Sequence, residues 1–268
     1  MTPPALVPDS SAEGPASRSK AIRNRPFPSM ATGLPSRLSD RSAAAWPRAQ
    51  GDSINDAALS ILDSLGKQKN AAANEALKTA LNSDDHLVRR RAATLLKQNG
   101  AGDFSAKIGI VKTRNTQADY RRALARSGRK VSAVVTTTKG SFTIDLLPSE
   151  APLTVDNFVQ LARRNYFRDI TIHRVVPNFV IQDGDPRGDG NGGPGYQIRC
   201  EINEVPYDRA TLGMALSGKD TGGSQWFVTH APQPHLDGGY TVFGRVVAGM
   251  EVVDKIERGD VVKSIRIR

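Results

Sequence analysis

Cysteine is almost missing from this sequence: Cys200 is the single one in 268 residues. One thiol closes no intramolecular disulfide and builds no metal site, so neither device organises the chain. Long apolar runs are absent too. No stretch approaches the roughly 18 residues a membrane helix needs, and no membrane span is expected. Arg18, Lys20, Arg23 and Arg25 are followed by no apolar segment, which is not the pattern of a secretory signal peptide. Scarce cysteine fits a reducing compartment. The cytoplasm is the expected location, with the periplasm as the alternative should the true N-terminus carry a signal sequence; a start nearer Met30 is another reading of this end. The four histidines, His86, His173, His230 and His235, stand at no metal-ligand spacing, and no cofactor is expected.

Positive charge, by contrast, is in excess and unevenly placed. The net charge of +10 divides into +4 over residues 1–50, +7 over 51–130 and −1 over 131–268. A basic region attracts nucleic acid or acidic surfaces. Here the charges are dispersed, with Arg89-Arg90-Arg91 the densest run, so the basic half reads as a solvated face and nucleic acid is not the expected partner.

The chain falls into three regions. Eight of the 16 prolines lie in the first 50 residues, among Ser, Ala and Arg with no apolar periodicity. Residues 1–51 bury too little apolar surface to offset their ordering entropy and read as a disordered tail, with Phe27 and Trp46 as isolated aromatics. Residues 52–128 read as helical. Ala58, Ile61, Leu62 and Leu65, then Ala73, Leu77, Ala80 and Leu81, then Val88, Ala92, Leu95 and Leu96 recur at helical spacing. Ser83-Asp84-Asp85 supplies N-cap chemistry, Gly66 and Gly100 stand where C-caps belong, and a weaker helix over Thr116 to Arg126 bridges onward. From Val131 the period turns strand-like. Two β-branched runs flank Lys139-Gly140, a hairpin signal. Pro152 opens a helix whose apolar face carries Val155, Phe158, Val159 and Ala162. Further strands are expected at Ile172–Val176, Phe179–Gln182, Thr211–Ala215, Trp226–Thr229, Thr241–Val247 and Val262–Ile267, with a short helix at Met250–Ile256. Many short strands and two helices predict a closed antiparallel barrel over residues 131–268.

Several motifs lead nowhere. Gly188, Gly190 and Gly193 satisfy the dinucleotide fingerprint, but Pro194-Gly195 and a strand-like run follow where a helix must hold the pyrophosphate. Asp183, Asp185 and Asp189 suggest calcium, but the twelfth loop position falls on Pro194 or Tyr196 rather than on a glutamate. Arg187-Gly188-Asp189 spells an adhesion tripeptide with no extracellular context. Ser224 lacks the flanking glycines of a nucleophile elbow.

What remains is a set of blocks in order: Ile172 to Asp185 (IHRVVPNFVIQDGD), Gly213 to Ser217 (GMALS), Gly223 to Thr229 (GSQWFVT), Leu236-Asp237-Gly238 and Val242-Phe243-Gly244. They resemble the signature regions of cyclophilins, from about Val134 to Ile267. The resemblance implies a mainly β fold, a closed eight-stranded antiparallel barrel with two helices. The implied activity is peptidyl-prolyl cis-trans isomerisation in support of protein folding, with proline-containing polypeptides as substrates. The alternative is a scaffold that binds proline peptides with little turnover. The stretch from Ala76 to Gly100 resembles a HEAT repeat, with Asp85, Val88, Arg89 and Ala93 at its marker positions. The helical segment then either docks a protein partner or is a packing element. A monomer is expected.

The resemblance also assigns roles. Arg174, Phe179 and Gln182 take the catalytic positions. Val180, Phe227 and Leu236 form an apolar pocket with Phe179; Ala215 and Leu216 bind the residue before proline through their backbones; and Met214, His235 and Tyr240 belong to the same substrate-binding set. Gln225 lines the neighbouring groove. His235 and Tyr240 stand where many members have tryptophan and histidine, which implies bacterial-type character and weaker cyclosporin binding.

The chemistry needs no nucleophile or base, because no bond breaks. The amide barrier is about 18–20 kcal/mol, and acceleration by about 10⁴- to 10⁵-fold requires about 5.5–7 kcal/mol. One charged hydrogen bond supplies about 1.5–3 kcal/mol. Arg174 alone therefore falls short, and an apolar pocket must supply the rest.

Overall fold

The structure, a computed structural model, describes residues 41–46 and 56–268. The tail reading, Phe27 included, otherwise lies outside these residues. Residues 41–46 are helical, and Trp46 is buried against the helices that follow rather than isolated in a tail.

Three helices follow: α1 (Asp56–Gln68), α2 (Ala71–Ala80) and α3 (His86–Gln98). Their apolar stripes meet in one cluster that includes Leu59, Leu62, Leu65, Leu77, Leu81, Val88 and Leu96. Asn70 caps α2 by accepting from the Ala73 N–H at 2.8 Å, and Asp85 caps α3 by accepting from Leu87 N–H at 2.8 Å. Gly100 ends α3 in the left-handed region (φ 71°), with Ala101 N–H donating to the Leu96 carbonyl at 2.9 Å. Gly66 does not end α1, which runs on to Gln68. A Cβ there would stand 2.6 Å from Leu95, so this glycine lets α1 approach α3.

After a short turn, α4 (Ser105–Ile108), comes the bridging helix α5 (Gln117–Leu124), opened by a capping box between Thr116 and Asp119. Arg122 reaches the buried Asp156 at 2.8 Å, and Arg126 pairs with the same carboxylate. Asp156 lies on α6 (Pro152–Arg163), so these ion pairs fasten α5 to the strand-rich half.

That half holds β1 (Val131–Thr137), β2 (Gly140–Leu146), β3 (Ile170–Thr171), β4 (Arg174–Val176), β5 (Val180–Asp183), β6 (Thr211–Met214), β7 (Trp226–Thr229), β8 (Val242–Ala248), α7 (Met250–Val253) and β9 (Val261–Ile267). The order across the sheet is β3-β9-β1-β2-β8-β6-β7-β5-β4, antiparallel throughout. The expected eight-stranded closed barrel is observed as one curled sheet of nine strands. The extra strand arises within Ile170–Val176, where the ladder changes partner from β9 to β5 and Ile172-His173 fall between the two pairings. The β1–β2 loop is Thr138-Lys139, since Thr137 pairs with Gly140, one residue earlier than the expected turn.

Inward-facing residues fill the barrel. Phe158 of α6 packs on Phe167 and Phe243 at 5.2 and 5.5 Å between ring centroids and meets Trp226 edge-on at 6.4 Å. A separate apolar cluster lies on the outer face: Val180, Tyr207, Phe227, Leu236 and Val242, with Phe179, Ala215 and Tyr240 against it. Among the described residues no helix is long and apolar enough to cross a membrane.

Candidate active site

Strand register assembles the site. Arg174 on β4 pairs with Gln182 on β5, Gln182 with Phe227 on β7, and Phe227 with Gly213 on β6. Residues directly opposite in antiparallel strands share a face, so one row crosses four strands on the outer side of the sheet. Val180, two residues before Gln182, joins that face, whereas Ile181 enters the barrel core.

The exposed Arg174 side chain is held from two directions. Its Nη1 donates to Gln182 Oε1 at 3.1 Å, and its guanidinium carbon sits 5.3 Å from the centre of the Phe179 ring. Gln182 Nε2 in turn donates to Gln225 Oε1 at 2.9 Å, and Gln225 Nε2 donates to the carbonyls of Gly190 and Gly192. A hydrogen-bonded line thus runs from Arg174 to the glycine-rich loop. That loop is built around Asp185, whose carboxylate accepts from the N–H groups of Arg187, Asp189 and Gly190. At Gly192 a Cβ would fall 2.0 Å from Asp185 Oδ1, so a side chain there would displace the carboxylate that organises the loop.

Beside Arg174 opens a cavity of about 230 Å³ lined by Arg174, Phe179, Val180, Gln182, Ala215, Leu216, Phe227, Leu236 and Tyr240. These are nine of the twelve residues picked out in the sequence. The other three lie elsewhere. Gln225 lines the adjoining cavity. His235 is exposed at the rim, stacked on Phe179 at 5.6 Å. Met214 does not reach the site: strand alternation sends its side chain into the barrel core, 2% exposed, against Trp226.

Two supporting residues escaped the sequence reading. Tyr207 is buried beneath the pocket and stacks on Phe227 at 5.5 Å, its phenol pushed well above its usual range by burial. Gln233 Nε2 donates to the Asn178 carbonyl at 2.7 Å, and His230 N–H donates to the Phe179 carbonyl at 2.8 Å, which together hold the turn that presents Phe179. Both residues lie in aperiodic loops, so no pattern marked them.

An arginine fixed by a glutamine at the mouth of an aromatic-walled cavity, on a curled antiparallel sheet, defines a cyclophilin-type site. The family described as "Cyclophilin type peptidyl-prolyl cis-trans isomerase/CLD" matches residues 132–268. The chain belongs to this family and is a peptidyl-prolyl cis-trans isomerase. It is 50% identical over 125 residues to peptidyl-prolyl cis-trans isomerase B of Bacillus subtilis, covering 46% of this chain and 87% of that one. It is 45% identical over 137 residues to a peptidyl-prolyl cis-trans isomerase of Synechococcus elongatus, covering 50% and 94%. Among solved structures, a cyclophilin-type isomerase of Cryptosporidium parvum matches with a TM-score of 0.50 at 30% identity, covering 52% of this chain and 98% of that one.

Proposed function

We propose that the 230 Å³ cavity receives the proline ring of an extended polypeptide and that Arg174 stabilises the twisted amide next to it. In the planar amide the nitrogen lone pair is delocalised. At the twisted state the nitrogen pyramidalises and regains that pair, and a guanidinium can donate to it or to the carbonyl oxygen. Gln182 orients Arg174 and meets the substrate carbonyl, while the backbones of Ala215 and Leu216 hold the residue before proline. Phe179, Val180, Phe227 and Leu236 grip the ring and exclude water, which strengthens the charged contact.

The observation that carries this reading is the bond from Arg174 to Gln182 at the edge of an otherwise apolar cavity. It implies that Arg174→Ala lowers kcat/KM for an Ala-Pro peptide by about 10- to 150-fold, matching one charged hydrogen bond. A protease-coupled assay reads this directly, and a loss under twofold would remove Arg174 from the reaction.

Residues 170–176 act as a single bent strand whose two halves bring the ends of the sheet together, so the barrel counts as eight strands and is closed. The helical unit ends at residue 128 and the isomerase unit spans residues 131–268, serving folding by acting on proline-containing clients.

A further inference from the structure

A second cavity, about 90 Å³, adjoins the first and shares Gln182, Ala215 and Leu216 with it. Its far wall is not part of the barrel. Leu87 and Arg90, one turn apart on α3, line it opposite Gln225 and the glycine-rich loop. The helical segment is locked in this position. Gln197 Nε2 donates to Asp85 Oδ1 at 2.7 Å, Gln197 Oε1 accepts from His86 N–H at 3.2 Å, and Arg187 Nη2 reaches Asp63 at 2.6 Å.

The three consecutive arginines of α3 have separate fates, which overturns their reading as a solvated face. Arg89 is buried and donates to the carbonyls of Ser83, Asp84, Ile108 and Ile110. Arg91 pairs with Asp63 at 2.6 Å. Arg90 is half-buried at the second cavity, and among the described residues no carboxylate pairs with it. Asp85, an acid whose charge acts on it, is engaged by Leu87 N–H and Gln197. Burial lowers the pKa of Arg90 and Asp85 pulls the other way, so the guanidinium is a partly desolvated cation with no ion-pair partner among the described residues.

We propose that α3 completes the substrate groove and that Arg90 selects polypeptides with an acidic side chain two residues before the proline. This rests on the proline-site reading above: with proline in the first cavity and the preceding residue on Ala215 and Leu216, the next residue back enters the second cavity. There a glutamate stem packs on Leu87 while its carboxylate meets Arg90. Among the described residues no carboxylate lines the cavity to oppose it.

The test compares the peptides Ac-Glu-Ala-Pro-Phe, Ac-Lys-Ala-Pro-Phe and Ac-Ala-Ala-Pro-Phe by NMR exchange, with Kd read from the same titrations. A partly exposed ion pair implies that the full-length wild type favours Glu over Lys by about fivefold at low salt and less at high salt. Arg90→Ala brings the ratio within about twofold, Arg90→Glu inverts it, and Arg90→Lys retains a preference for Glu. Because each ratio is taken within one variant, a general loss of stability cancels. An equal Glu to Lys ratio in wild type and Arg90→Glu would overturn the proposal. Absence of turnover on the neutral peptide would instead strike the proline-site reading, and the Kd ratios would still judge Arg90.

Discussion

On β6 the side chains of Leu212 and Met214 enter the barrel, and Gly213 between them lies under the pocket. A Cβ at Gly213 would meet Phe227 Cζ at 2.4 Å and the Tyr207 hydroxyl at 2.6 Å. Gly213→Ala must therefore push the Phe227–Tyr207 stack into the cavity. Overpacking of this kind costs about 1–3 kcal/mol. The expected result is a lower melting temperature together with at least about a tenfold fall in kcat/KM; unchanged kinetics would show that the stack does not shape the pocket. Asp183 follows Gln182 on β5 but is fully buried, and burial pushes its carboxyl up from 3.8 to about 7, against the pull of the Gly184 N–H and with Asp185 adding to the rise. Between those pH values the folded state holds more protons than the unfolded one, so this group's contribution to stability falls as pH rises and levels off above about 7. Asp183→Asn, which mimics the protonated form, should gain on wild type as pH goes from 4 to 7.5 in urea unfolding. A constant difference would contradict the shift. At this scale Arg174, Phe179, Gln182 and Phe227 were legible because they fall in contiguous blocks. Met214 was misplaced because a block says nothing of which face each residue takes, and Tyr207 was missed because it contributes from a loop.

Helix α3 begins at a residue that bonds both to its own helix and to the strand-rich half. The Asp85 carboxylate caps Leu87 N–H and accepts from Gln197. Losing such a cap costs about 0.5–2 kcal/mol. Asp85→Ala should thus destabilise the chain by at least that range and also weaken any preference set by Arg90, since both depend on the start of α3. A variant that unfolds like wild type in a denaturant titration would show that the cap is idle. Helix positions were readable from periodicity and capping residues because those signals are local. The break of Ile170–Val176 into β3 and β4 was not, because it reflects a change of pairing partner far along the chain.

In the whole molecule the helical half and the barrel are joined by the ion pairs at Asp156 and by a second set of polar side chains around the site. Arg187 and Gln197 reach the helices, Gln225 reaches the loop that carries Arg187, and Gln182 links Gln225 to Arg174. None of these long-range contacts shows in the sequence, where the basic half looked unrelated to the near-neutral barrel. We propose that rotation about the prolyl bond is accelerated jointly, by one guanidinium and by an apolar cavity that outweighs it. NMR exchange rates on an Ala-Pro peptide with wild type and Arg174→Ala, set against the uncatalysed rate, measure both shares at once. The variant is expected to be slower than wild type by about 10- to 150-fold yet still faster than the uncatalysed reaction by about 10²-fold or more. A variant as fast as wild type, or no faster than free peptide, would contradict it.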